Sequence, residues 1–202
     1  MIRKLILRLV QAAALLPLAA CVAPTGPIEV TRFHTADTAM LGRGGIAVEA
    51  AAGMDPGSIE LKTFEEAVTR ELQRIGYADS GAASPAQIAQ VRLERRTVQP
   101  ERRRSPVTVG VGGSTGSYGS GLGMGVGIDL SGPPPAMTET LLGVVIRERA
   151  SGAVLWEGRA AFAVRADSPL ATTPLGAAEL ARALFAGFPG RSGETVLVKP
   201  AP

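Results

Sequence analysis

The chain has one cysteine, one histidine and one tryptophan among 202 residues, and aromatic side chains make up 4% of it. A single cysteine excludes an internal disulfide framework and any zinc site built from several thiolates. With one histidine, His34, metal binding or acid–base chemistry falls to carboxylates. With few aromatics and 25 glycines, the core is expected to be aliphatic. No sign of charge dominates: Arg3, Lys4 and Arg8 near the N-terminus account for three of 21 basic side chains, leaving 18 against 18 acidic ones. That balance gives no reason to infer a nucleic-acid partner. The longest apolar run ends by residue 20 and is interrupted by Gln11 and Pro17. A spanning helix needs about 20 consecutive apolar residues, so this run is too short.

What is present begins with that run. A basic start, a short apolar stretch and then Leu18-Ala19-Ala20-Cys21 form a lipobox-like leader. The pattern resembles substrates of the lipoprotein signal peptidase. It predicts cleavage between Ala20 and Cys21 and acylation of Cys21; the plainer alternative is an ordinary secretory signal with an incidental cysteine. Val22 stands where an aspartate would retain a lipoprotein in the inner membrane, so the expected location is the outer membrane, facing the periplasm. The predicted organisation is a signal peptide over 1–20, a lipidated N-terminus and linker over 21–27, and a single domain over 28–199. Its membrane partner is reached through the anchor, each buried methylene contributing about 0.8 kcal/mol.

Within the domain, 28–33 alternates apolar and polar residues, as a half-buried strand does. A second strand is expected at 45–49, and Asp55-Pro56-Gly57 reads as a turn. The spacing of Phe64, Ala67, Val68, Leu72 and Ile75 predicts a helix over 63–75, with Thr63 and Glu66 as a capping box and Gly76 as its stop. A strand starting at 91 leads into Arg95, Arg96, Arg102, Arg103 and Arg104. These arginines are either an anion-binding patch for an envelope component or a solvated strand end.

Over 107–130, Val107, Val109 and Val111, then Leu122, Met124, Val126, Ile128 and Leu130, alternate mostly with glycine. This predicts a Gly-rich hairpin with one apolar and one nearly bare face. Its apolar face is expected to cover the core; the alternative is contact with a membrane or with another copy. A second hairpin is predicted from 140–149 and 153–164 around Ser151-Gly152, with Trp156 in the core. A last helix with Pro174 at its first position is predicted to bury Leu175, Ala178, Ala181, Leu184 and Phe185, and a short strand to follow at 195–198.

Motifs that carry chemistry are hard to find. Gly112-Gly113-Ser114-Thr115-Gly116 matches a nucleophile elbow as a string, but glycine follows where a helix is required, and His34 lies upstream. No phosphate-binding Gly-rich loop is present. Glu65 and Glu66 are adjacent on a helix and do not share a face. No metal site, cofactor or catalytic residue is therefore expected.

The lipobox, the Phe64-to-Gly76-Tyr77 helix end, the Gly-rich hairpin, Ser151-Gly152 through Leu155-Trp156-Glu157-Gly158, and a closing helix ending at Phe188-Pro189 occur in an order that resembles the bacterial lipoproteins grouped as domain of unknown function 4136. The chain differs at 87–90, where an acidic residue would lead into the strand. The resemblance implies a small α+β envelope domain and brings no binding residues. The expectation is thus an α+β fold, a mainly antiparallel β-sheet with two helices packed on it. Its expected role is a non-enzymatic binding or scaffolding module for an envelope protein or anionic envelope component; the alternatives are a membrane-active or self-assembling module using the Gly-rich hairpin and, last, an enzyme with an unrecognised carboxylate site.

Overall fold

The computed structural model describes residues 26–79, 84–99, 107–116, 119–128, 134–172 and 174–201, with side chains described outside 107–128 and at most of these positions. The elements are β1 (Ile28–His34), β2 (Gly45–Ala50), α1 (Ile59–Arg74), β3 (Ala78–Asp79), β4 (Gln87–Val98), β5 (Val107–Gly116), β6 (Gly119–Ile128), β7 (Met137–Glu148), β8 (Val154–Arg165), α2 (Pro169–Thr172), α3 (Pro174–Phe185) and β9 (Glu194–Val198). The fold is α+β. Its main sheet runs in the order β3-β2-β4-β7-β8-β1-β9. Only β2 makes parallel pairs, with β3 and β4, as expected of strands joined across a helix.

The strands sort their side chains by parity. Along β7, Thr138, Thr140, Leu142, Val144 and Ile146 are buried, and the residues between them are half-exposed. Val91 on β4 and Trp156 and Ala160 on β8 share the buried side, against α1 and α3. One face of the sheet is therefore covered by helices, and no described helix covers the other.

Helix α1 starts four residues earlier than the apolar spacing suggests. The Ser58 hydroxyl accepts from the Leu61 N–H at 3.2 Å and is the N-cap, so Thr63 lies inside the helix and donates to the Ile59 carbonyl. The Asp55 turn delivers the chain directly to Ser58, which makes a capping box at Thr63 redundant. Gly76 ends the helix as expected, with φ +111° and an approach so close that a Cβ would sit 2.8 Å from the Gly42 carbonyl oxygen.

On α3, the buried stripe is Gly176, Ala177, Leu180, Ala181, Ala183, Leu184 and Phe185, while Leu175 is exposed. The expected stripe is thus rotated by about one residue. Small residues face inward because Gly176 packs against the Leu170 carbonyl of α2, where any side chain would collide.

The Gly-rich segment forms β5 and β6, a two-stranded sheet separate from the main one. Its register pairs Val107 with Ile128, Val109 with Val126 and Val111 with Met124, and sets Gly110 against Gly125. The arm's side chains, and with them the expected covering of the core, lie outside the described residues. So does Leu130. In the chain the arm is inserted between β4 and β7, whose pairing runs as far as Val98 with Met137. Following the antiparallel pairs across the sheet, the start of β1, the end of β9 and the roots of this arm lie at one pole.

Candidate functional site

The uncovered face of the sheet is the candidate surface. Strand pairing orders it into rows: Glu94, Leu141, Ala161 and Glu29 in one, and Arg92, Gly143, Arg159 and Thr31 in the next. Leucine, alanine and glycine at the centre leave low ground between longer charged side chains. Two shallow depressions result. One, of about 650 Å³, is lined among others by Pro27, Glu29, Arg96, Glu139 and Ala163. The other, of about 560 Å³, lies over Gly143 and Val145 and is lined among others by Arg92, Arg147 and Arg159.

The arginines singled out from the sequence are not gathered into one patch by the described structure. Arg95 and Arg96 are consecutive on β4 and project to opposite faces. Arg95 is ion-paired to Glu60 of α1, and Arg96 to Glu139 at 2.6 Å on the open face. Each already has a carboxylate. Arg102, Arg103 and Arg104, like Cys21 and the Ala20–Cys21 bond, lie outside the described residues. Ser114 sits within β5, opposite Gly121, and not at a strand-to-helix turn.

His34 ends β1, its ring within hydrogen-bond reach of the Thr35 and Gly190 carbonyls. Glu65 is held on α1, where burial pushes its carboxyl above the usual range and Lys62 opposes the shift. Trp156 is a core residue: fully buried, stacked on Phe185 at 5.4 Å and donating its indole N–H to the Pro189 carbonyl at 3.0 Å. Among the described residues no group of three or more His, Cys, Asp or Glu side chains could hold a metal ion.

Two buried polar side chains escaped the sequence reading. Arg32 follows Ile28 and Val30 into the core, while Phe33 points outward and is half-exposed. The Arg32 guanidinium donates to the Leu184 and Ala183 carbonyls at 2.9 and 3.0 Å, closing the C-terminus of α3, where a cation is favoured. Burial pulls its pKa below the usual arginine value and Glu194 pushes it back. Strand parity was the available signal, since 32 has the same parity as 28 and 30. Gln87 accepts from the Tyr77 hydroxyl at 3.1 Å and donates to the Met40 and Arg43 carbonyls. An ionised carboxylate could not make those donations, which accounts for glutamine where an acid was expected. Burial raises the Tyr77 pKa, partly opposed by a hydrogen bond with the Gly42 backbone.

These features define an α+β domain with one helix-covered face and one charged face that no described helix covers. No family model matches the chain. The chain is 28% identical over 232 residues to an uncharacterized protein of Zymomonas mobilis, covering 93% of this chain and 84% of that protein. Its fold resembles part of the crystal structure of a PDZ domain protein from Parabacteroides distasonis. The TM-score is 0.51 at 15% identity, covering 86% of this chain and 39% of that one. The chain therefore spans well under half of that structure.

Proposed function

We propose that this chain is an envelope lipoprotein, a distant member of the group called domain of unknown function 4136. It is acylated at Cys21, held at the outer membrane facing the periplasm, and works as a non-enzymatic binding or scaffolding module. The observation that supports a binding role is the open sheet face, with its two depressions between charged rows. The lipobox residues Leu18 to Cys21 support the anchor. Intact mass and membrane fractionation of the native protein beside Cys21→Ala test it. Acyl mass with outer-membrane fractionation, both lost in the variant, is the expected result; unmodified soluble protein in both would overturn it. A turnover of an envelope substrate abolished by one substitution would overturn the non-enzymatic part.

A second reading makes the β5–β6 arm a membrane-active or self-assembling element. It is favoured by the apolar-to-apolar register and by the arm's roots at the same pole as the N-terminus of β1. Deleting 114–120 and placing charges at Met124 and Val126 should then abolish liposome binding or assembly in a folded protein. Unchanged behaviour would refute it.

A further inference from the structure

We infer that the open face carries a phosphate-binding slot between Arg92 and Arg159, floored by Gly143 and flanked by Arg147, whose ligand is a phosphate monoester. This deepens the reading of that face as a binding surface and does not depend on the anchor.

Arg92 on β4, Gly143 on β7 and Arg159 on β8 are direct partners across three adjacent strands, so all three share the open face. Strands lie about 4.8 Å apart, which sets the two arginine backbones roughly 10 Å apart with only a glycine between them. A larger residue at 143 would fill the gap; glycine leaves it as the floor of the depression of about 560 Å³. That volume falls within the range of about 300–1,000 Å³ found for small-molecule sites.

The charges around the slot are not balanced. Arg92 donates to the Ala52 carbonyl at 3.0 Å. Arg147 donates to the Gln90 side-chain oxygen and to the Gly152 carbonyl, both at 3.1 Å. Those acceptors orient the guanidinium groups without neutralising them. Among the described residues neither arginine pairs with a carboxylate. Arg159 is bound to Glu157 at 2.6 Å, and Glu94 also lines the depression. Three guanidinium groups thus face two carboxylates, which leaves a net positive charge for an anion.

The arrangement selects phosphate over carboxylate. A carboxylate presents both oxygens in one direction and suits a single arginine fork, whereas the corners of a phosphate reach forks on two opposing sides. Leu141 and Val145, on the same face of β7 to either side of Gly143, offer apolar ground for the carbon body of an ester.

The test is calorimetric titration of the full chain in detergent with glycerol phosphate, inorganic phosphate and succinate. The variants are Arg92→Gln, Arg159→Gln, Gly143→Val and, as control, Arg74→Gln on α1, with circular dichroism to verify folding. The expected result is saturable 1:1 binding of glycerol phosphate, stronger than that of succinate. Arg92 should contribute about tenfold or more, as a charge-assisted hydrogen bond does, and Arg159, which Glu157 already pairs, less. Gly143→Val should block binding in a folded protein, and Arg74→Gln should leave it unchanged. Vesicles containing phosphatidic acid, compared with phosphatidylcholine alone, separate the two sources of the ester. Extra binding that Arg92→Gln removes assigns a lipid headgroup; binding confined to soluble glycerol phosphate assigns a free ester. No binding to any phosphate probe, equal binding of succinate, or binding that all slot variants retain would overturn the slot. The wider reading of the face fails separately, if crosslinkers at Glu139 and Ala163, in the other depression, also capture nothing in the envelope.

Discussion

Replacing Gly158 by alanine should destabilise the domain, and shrinking Trp156 should restore part of the loss. A Cβ at 158 would lie 2.8 Å from Trp156 Cζ2 and 2.9 Å from Leu184 Cδ1, with Cη2 closer still. Carbon atoms prefer about 3.5–4.0 Å, so two neighbours must give way. Neither yields freely. The indole is clamped between its bond to Pro189 and its stacking on Phe185, and Leu184 is fully buried in α3. Overpacking of this kind costs about 1–3 kcal/mol, partly offset because alanine is better tolerated than glycine in a strand by about 0.5–1 kcal/mol. The net expectation is about 1–2 kcal/mol. Trp156→Phe removes the colliding ring edge but leaves a void and the Pro189 carbonyl without its donor, a loss of about 2–4 kcal/mol. In the double variant the new methyl occupies space the indole has vacated, so the losses should sum to less than their parts by about 1 kcal/mol or more. The Leu184 contact persists, which keeps the rescue incomplete. Urea unfolding followed by circular dichroism at 222 nm, a wavelength insensitive to the loss of the single tryptophan's fluorescence, measures all four proteins. Losses that add to within about 0.5 kcal/mol, or a neutral Gly158→Ala, would refute the packing argument.

Ser58→Ala should cost about 1 kcal/mol and Thr63→Ala less than about 0.5 kcal/mol in the same assay, because the cap is at Ser58; the reverse order would restore the later helix start. Arg32→Met should lower stability by about 2 kcal/mol by stripping the donors from the end of α3, a fall in Tm of roughly 4–8 °C, with Arg32→Lys recovering little because one ammonium cannot reproduce the fork. The Arg182 guanidinium holds the Glu179 carboxyl below its usual range. A depressed carboxylate contributes stability that is present above its unfolded value of about 4.3 and lost as pH falls through the folded value. Glu179→Gln should therefore flatten the acid side of the stability profile, and an unaltered slope would show that the pair contributes nothing there.

The sequence announced its elements more clearly than their rotation. Alternation located β7 and β8, and a 3.6-residue spacing located α1, because a strand or helix with one buried face repeats its apolar residues at that face's period. The inward set of α3 departs from the apolar spacing because closeness to the sheet and α2, rather than hydrophobicity, decides it: Gly176 and Ala177 face in and Leu175 faces out. Arg32 was legible only by parity against its chemistry. The slot over Gly143 was illegible, because Arg92, Gly143 and Arg159 meet only through the register of three strands distant in the chain. Arg95 and Arg96, by contrast, are neighbours in sequence and are separated by the pleat.

The shared pole of the N-terminus and the β5–β6 arm has a metric consequence. An anchor at Cys21 leaves residues 21–27 as a leash, which fully extended reaches roughly 25 Å. The arm's strands are ten residues each and, at about 3.4 Å per residue, span roughly 34 Å. A rod longer than its tether, rooted at the tethered end, cannot stand upright between domain and bilayer. Nor can it continue straight into the hydrocarbon, where two open strand edges would go unsatisfied. On an anchored chain an arm of this length therefore tilts, lies along the surface or turns back beside the domain.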